Sequence, residues 1–160
     1  MKNFIIASAV ASVMTLGLIS AGAFADAKHD HAKEGTAAGK PGDLKKVSRS
    51  IRVTMSDNMR FTPSSISVKR GETVKFVVKN AGQIKHEMVI GSIAELKEHA
   101  ELMRKFPDME HADPNQVNVD PGKSGALVWQ FTKAGTVDFA CLLPGHFEAG
   151  MVGKVQVTAK

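Results

Sequence analysis

Apolar and polar residues alternate with a period of two over most of the chain after residue 50. Such alternation places every second side chain on one face of an extended strand. Turn-forming Gly, Asn and Pro residues separate the runs. The runs are Ile51, Val53, Met55; Ile66, Val68; Val74, Phe76, Val78; Val117, Val119; Leu127, Trp129, Phe131; Val137, Phe139, Cys141; and Val155, Val157. The pattern predicts about seven short strands and an all-β fold of the β-sandwich type.

One segment between these runs has a different period. Apolar residues recur at helical spacing between residues 93 and 103. Ser92 stands just before them and Glu95 follows three residues later, which is the arrangement of a capping box. The segment predicts one inserted helix over about 93–105, ending at Phe106-Pro107.

The N-terminal residues have the composition of an export signal. Lys2 precedes an apolar run from Phe4 to about Ile19, and Ala23-Phe24-Ala25 provides the small residues of a cleavage site. We therefore predict a signal peptide over residues 1–25, cleaved after Ala25, and a periplasmic location. No later stretch is long and apolar enough for a bilayer, so we expect no membrane span in the mature chain.

Residues 26–48 show no apolar periodicity and are rich in Ala, Gly, Lys and Asp. This composition predicts a disordered tail, with the folded domain over residues 49–160. The tail contains His29 and His31, which either hold a metal ion loosely or are simply solvated.

Charge and cysteine content exclude several function classes. The chain has 21 Lys+Arg and 16 Asp+Glu, and the basic residues are spread rather than clustered with aromatic residues. We therefore expect no nucleic-acid partner. The single Cys excludes an intramolecular disulfide, a four-Cys metal site and a C-x-x-C redox pair. A lone thiol in an oxidising compartment is expected to be buried or held by a metal.

The residues most typical of a metal site lie near the C-terminus. Four residues separate Cys141 from His146, and four more separate His146 from Met151. A strand end, a Pro-Gly turn and the start of the next strand can bring these three side chains to one point. His86, at the head of another apolar run, can supply a fourth ligand. A thiolate, a thioether and two imidazoles suit copper in both oxidation states. Zinc is the competing metal, although Met is a poor ligand for it.

Several further motifs accompany this set. They are Phe61-x-Pro63, Ile66-x-Val68, Gly71-Glu72-x-Val74-x-Phe76, Asn80-x-Gly82, Pro121-Gly122, Gly135-Thr136, Pro144-Gly145-His146 and Gly150-Met151. From about Ser50 to Lys160 the chain resembles the cupredoxins, the plastocyanin and azurin kind of blue-copper protein. The resemblance implies a Greek-key β-sandwich that holds one type 1 copper ion. It also implies that His86, Cys141 and His146 are equatorial ligands and that Met151 is the axial ligand.

Within that family the chain is most similar to small periplasmic cupredoxins associated with copper tolerance, which also carry a His-Glu-Met stretch and a Met-rich helical insertion. It departs from the best-known electron carriers at Glu87, where those proteins commonly have an Asn that braces the ligand loop. Groups around the ligands tune a metal strongly. The resemblance therefore fixes neither the reduction potential nor the colour.

Two functions are compatible with such a site. The first is copper tolerance through binding and redox cycling of copper. The inserted segment favours it, because Met103, Met109, His99 and His111 are donors for a possible second metal site. The alternative is a small soluble electron carrier that docks a redox protein near His146.

A copper enzyme is not expected. Ala140 and Leu142 flank Cys141, where trinuclear oxidase sites need His. Catalytic copper also needs an open coordination position, which four protein ligands do not leave.

Overall fold

The computed structural model describes residues 38–107 and 113–159, which form two packed β-sheets and one α-helix. The strands are β1 (Lys40–Pro41), β2 (Arg49–Ser56), β3 (Arg60–Thr62), β4 (Ser65–Lys69), β5 (Thr73–Asn80), β6 (His86–Gly91), β7 (Gln116–Val119), β8 (Ser124–Gln130), β9 (Gly135–Ala140) and β10 (Val152–Thr158). The helix is α1 (Ile93–Lys105). Sheet I has the strand order β1-β8-β5-β2-β3, and sheet II has the order β4-β10-β9-β6-β7. The predicted β-sandwich with one inserted helix is confirmed.

The alternating apolar side chains meet between the sheets. In β5, Val74, Phe76 and Val78 are all fully buried. Phe61 of sheet I meets Phe139 of sheet II edge to face, with ring centroids 5.0 Å apart. Burying an aromatic side chain of this size stabilises the fold by about 2–3 kcal/mol. The core therefore holds the two sheets at a fixed separation.

Helix α1 covers the outer face of sheet II. The Ser92 hydroxyl accepts the Glu95 N–H, and the Glu95 carboxylate accepts the Ser92 N–H at 2.7 Å, so the predicted capping box is present. Leu96, Ala100 and Met103 are buried against the sheet, together with Val89, Ala140 and Leu142 of sheet II and the chain that follows it. Because sheet II is covered on both faces here, every residue of β6 is buried.

Residues 38–48 differ from the prediction of a disordered tail. Strand β1 pairs antiparallel with β8, opposite Trp129 and Gln130. Ala38 is buried, and its carbonyl accepts the indole N–H of Trp129 at 3.2 Å. A two-residue edge strand is too short to produce a periodic pattern, so its order comes from pairing with β8 rather than from its own sequence. The folded part therefore includes residues that the sequence predicts as tail.

The predicted signal peptide, its cleavage site and the rest of the predicted tail, including His29 and His31, lie outside the described residues. Within residues 38–107 and 113–159, no helix is both long and apolar enough to cross a bilayer.

The topology brings three chain segments to one end of the sandwich. Strand β6 begins with His86, β9 ends one residue before Cys141, and β10 begins one residue after Met151. Because β9 is antiparallel to both β6 and β10, the end of β9 lies beside the starts of its two neighbours. The candidate ligands therefore come together through strand pairing.

Candidate metal centre

The loop between β9 and β10 is held by its own backbone hydrogen bonds. The N–H of Cys141 donates to the Met151 carbonyl at 3.1 Å, and the N–H of Met151 donates to the His146 carbonyl at 3.0 Å. Gly145 has a φ of 84°, which only Gly adopts readily, and it allows the tight turn before His146. The backbone thus places Cys141, His146 and Met151 side by side, as their spacing predicts.

The donor atoms of three candidate ligands face one another. The Nδ1 atom of His146 lies 3.2 Å from Nδ1 of His86 and 3.2 Å from Sγ of Cys141. All three donor atoms lie within 4.8 Å of one another. Among the described residues, no other group of three or more His, Cys, Asp or Glu side chains is close enough to hold a metal ion.

Burial differs across this set. His86, Cys141 and Met151 are completely buried, whereas His146 is partly exposed. Met151 packs in the same core cluster as Cys141. The site is therefore closed by protein on all sides except the one on which His146 lies.

Burial keeps two of these donors, the Cys141 thiol and the His146 imidazole, uncharged. Burial raises the pKa of the Cys141 thiol to about 12. Burial, and then the neighbouring His86, lower the pKa of His146. The thiol is therefore protonated and the His146 imidazole neutral at neutral pH.

Glu87 lies behind the ligands and connects two elements of the site. Its side chain is buried, and its carboxylate accepts the N–H of Leu142 at 2.9 Å. Burial raises the pKa of this carboxyl. Glu87, at the position where the best-known carriers commonly have Asn, thus links β6 to the residue that follows Cys141.

Two neighbours of the site are not indicated by the sequence. Asp57, in the turn between β2 and β3, has Oδ1 3.0 Å from Nε2 of His86. Arg60, at the start of β3, donates to the carbonyl of Ala149 at 3.1 Å. Both depend on long-range contacts between turns, and no motif or periodicity marks them.

The donors of the predicted second metal site have separate positions. Met103 is buried between α1 and sheet II, so packing accounts for it. His99 is half-buried on α1 and lines a cavity of about 560 Å³. Met109 and His111 lie outside the described residues. The second site stays a prediction.

The donor set fits copper. A thiol and two imidazoles converge in a mainly apolar, buried setting, and the buried thioether of Met151 lies at the end of the same loop. Two His, one Cys and a weak axial Met are the donors of type 1 copper sites. The four side chains thus form a type 1 copper-like site.

Comparisons with known proteins agree with this geometry. The family model described as copper binding proteins, plastocyanin/azurin family, matches residues 47–158. The chain is 54% identical over 166 residues to the copper-resistant cuproprotein CopI of Rubrivivax gelatinosus, covering 98% of this chain and 99% of the relative. It is 40% identical over 176 residues to the CopI of Pseudomonas aeruginosa, covering 92% and 94%.

A solved structure agrees in fold. Dithionite-reduced auracyanin from Roseiflexus castenholzii superposes with a TM-score of 0.60 at 22% identity, covering 70% of this chain and 98% of that one. The resemblance to the cupredoxins is confirmed. The chain belongs to the plastocyanin/azurin family of copper binding proteins.

Proposed function

We propose that this protein binds one copper ion through His86, Cys141, His146 and Met151, and that it serves copper tolerance in the periplasm by binding and redox cycling of copper. The convergence of two Nδ1 atoms and one Sγ atom in a buried pocket carries the proposal. The names of the relatives, copper-resistant cuproproteins, support the physiological role.

Each side chain has a distinct part in this proposal. Cys141 provides the thiolate, His86 and His146 provide imidazole nitrogens, and Met151 provides a weak thioether. Bound copper would supply one-electron chemistry, because this ligand set suits both Cu(I) and Cu(II). Burial of three of the four residues limits the access of water to the side on which His146 lies. The hydrogen-bonded loop holds the donors in place, which keeps the reorganisation during electron transfer small.

A soluble electron carrier is the second candidate. One observation favours it: His146 is partly exposed, with Phe147 and Leu143 half-buried beside it and Pro144 exposed. This is a small apolar surface next to a ligand, and weak redox encounters need only small interfaces. In either role four protein donors leave no open position for a substrate. We therefore propose binding and electron transfer rather than catalysis.

Titration of the purified protein with Cu(II), followed by visible absorption and EPR, tests the copper site. We expect intense colour that saturates at one copper per chain and is abolished by Cys141→Ser, since the colour depends on the thiolate. No colour in the wild type, or full colour in Cys141→Ser, would refute the proposed site.

The same titration tests the second site. Copper that binds after the colour saturates would support it, provided that Met109→Leu combined with His111→Ala removes that binding. Unchanged stoichiometry and copper tolerance in this double variant would refute it.

Growth of a deletion strain separates the two roles. Loss of growth in excess copper, restored by the wild-type gene but not by Cys141→Ser, would support tolerance. Normal growth in copper together with impaired respiration would favour the electron carrier. N-terminal sequencing of the periplasmic fraction tests the location, because cleavage after Ala25 predicts a mature chain that begins at Asp26.

A further inference from the structure

The turn between β2 and β3 contacts the buried ligand His86 from outside the site. One oxygen of Asp57, Oδ1, lies 3.0 Å from Nε2 of His86, and the other, Oδ2, accepts the N–H of Gln83 at 2.7 Å. The side chain of His86 has no exposed surface, whereas 37% of the Asp57 side chain is exposed. The carboxylate therefore lies at the edge of the site and reaches the imidazole nitrogen that points away from the other donors.

The chain leaves space for this carboxylate at Gly82. A Cβ atom on Gly82 would lie 1.8 Å from Oδ1 of Asp57 and 2.5 Å from its Cγ. Any residue other than Gly would thus displace the carboxylate. The close approach of Asp57 to the turn before His86 therefore depends both on Asp57 and on the absence of a side chain at Gly82.

The turn that precedes His86, between β5 and β6, is itself held in place by hydrogen bonds. The Asn80 side chain donates to the carbonyls of Ile84 at 2.7 Å and Val119 at 2.9 Å, and it accepts the N–H of Gly82 at 2.8 Å. The turn therefore cannot shift freely to meet Asp57. The contact between Asp57 and His86 is a fixed feature of this end of the sandwich.

A carboxylate only accepts hydrogen bonds, so Nε2 of His86 must carry the hydrogen. In a neutral imidazole the other nitrogen, Nδ1, is then an unprotonated acceptor, and this is the atom that faces His146 and Cys141. Metal-binding His residues commonly donate their second nitrogen to such a partner, which fixes the tautomer and raises ligand basicity.

We propose that Asp57 is a positioning residue that fixes His86 in the Nε2–H tautomer before metal binds and that stabilises Cu(II) relative to Cu(I). The second effect arises because a negative charge near the site favours the more highly charged ion. This inference rests on the proposed copper site, and the tautomer readout below is independent of copper.

The first readout is the tautomer of His86 in the metal-free protein, observed by long-range ¹H–¹⁵N NMR. We expect Nε2–H in the wild type and in Asp57→Asn, whose amide oxygen still accepts the hydrogen bond. We expect a tautomer mixture in Asp57→Ala. The control is Asp43→Ala, because Asp43 also accepts a backbone N–H, that of Lys45, but caps a different turn. A pure Nε2–H tautomer in Asp57→Ala would overturn the positioning role.

The second readout is the ratio of Cu(II) to Cu(I) affinity. Loss of partners to metal-binding residues commonly weakens metal affinity by about 10- to 100-fold. We expect Asp57→Ala and Asp57→Asn to lower the Cu(II)/Cu(I) affinity ratio about tenfold, which raises the reduction potential by about 59 mV. An unchanged reduction potential in both variants would overturn the proposal that Asp57 stabilises Cu(II) relative to Cu(I).

Gly82→Ala provides a test that keeps the carboxylate and moves it. Its Cβ would push Asp57 away from His86, so it should shift the tautomer in the direction of Asp57→Ala. Backbone NMR spectra show that each variant is folded before its tautomer is compared. A wild type that binds no copper would refute the proposed function. A folded Gly82→Ala protein that keeps a pure Nε2–H tautomer would instead refute the role of Asp57.

Discussion

The two ends of strand β5 use polar side chains in opposite ways. Just before β5 begins, the Glu72 carboxylate is satisfied entirely from within the chain. It accepts Nε–H of Arg49 at 2.6 Å, the N–H of Lys69 at 2.8 Å and the hydroxyl of Ser48 at 3.3 Å. At this end of β5, hydrogen-bond donors from the same chain therefore satisfy the carboxylate.

Beyond the other end of β5, like groups face one another. The Nδ1 atoms of His86 and His146 are 3.2 Å apart, and Sγ of Cys141 is 3.2 Å from the second of them. These atoms are all potential lone-pair donors to a cation.

The difference shows that polar groups at one end of this sandwich stabilise the fold, while those at the other end are available to bind a ligand. Polar groups that pair internally stabilise the fold, and a buried group left without its partner costs about 1–3 kcal/mol. Groups whose donor atoms converge on one point are instead arranged for a ligand, and activity commonly requires some sacrifice of stability. Metal binding should therefore stabilise the site end, while the Glu72 end should be indifferent to copper.

The largest expected effect is the copper-dependent stability. If copper binds only the folded chain, free copper at a thousand times the dissociation constant raises the free energy of unfolding by about 4 kcal/mol. We expect His146→Ala to lose most of this gain and Glu72→Gln to keep it. Thermal denaturation with and without copper measures both. If copper raised the free energy of unfolding of His146→Ala as much as that of the wild type, the assignment of copper binding to the His146 end would be contradicted.

The next effect is on the stability of the copper-free protein. Glu72→Gln cannot accept from Arg49, Lys69 and Ser48 as the carboxylate does, so the free energy of unfolding should fall by about 1–3 kcal/mol. Urea denaturation measures the loss, and the visible spectrum of the copper-loaded variant should be unchanged. The matched control is Glu148→Gln, an exposed carboxylate in the ligand loop, for which a change within about 0.5 kcal/mol is expected.

The third effect concerns pH. Burial raises the pKa of Glu72, but hydrogen bonds from the Lys69 N–H and the Arg49 guanidinium outweigh it, so the pKa lies below its ordinary value of 4.5. The unfolded chain therefore binds a proton at a higher pH than the folded protein does. The stabilisation is present above about pH 4.5 and is lost as the pH falls through the lower folded pKa. Urea denaturation across this range should show a shallower acid dependence in copper-free Glu72→Gln. Parallel curves for the two proteins would contradict the assignment.

Local patterns were enough to predict most elements of this fold. The alternation of Val74, Phe76 and Val78 predicts β5, and the capping box at Ser92 predicts the first turn of α1. Both signals lie within a few residues of the structure they specify. The helical spacing also predicts that Ile93 faces the core, but this residue is 43% exposed.

In the candidate site, too, local contacts were predictable from the sequence and long-range contacts were not. Three of its residues lie on one short loop, so spacing alone suggested that they meet. The contact of Asp57 with His86 depends instead on the parallel pairing of β2 with β5, which aligns Met55 with Asn80. Periodicity indicates which face of a strand is buried but not which strand lies beside it. For the same reason the order of β1 was not predictable from its own residues.

The smallest expected effect is at Arg60, which braces the ligand loop from outside. Its Nη1 donates to the carbonyls of Ala149 at 3.1 Å and Gly150 at 3.4 Å, just before Met151. Because this guanidinium is exposed, Arg60→Ala should lower the free energy of unfolding by only about 0.5–1 kcal/mol. Urea denaturation measures the loss, with Arg52→Ala, exposed on β2, as the control.

The optical effect of Arg60→Ala separates a brace from a ligand. The hydrogen bonds that Arg60 donates to the loop go to backbone carbonyls and not to the side chains of the candidate ligands, so the intense colour should persist at one copper per chain. A looser Met151 should broaden the EPR lines slightly, because the axial ligand would occupy a wider range of positions. Loss of colour would mean that the loop needs Arg60 to form the site at all. Lines as narrow as those of Arg52→Ala would mean that the hydrogen bonds within the loop are sufficient to hold it.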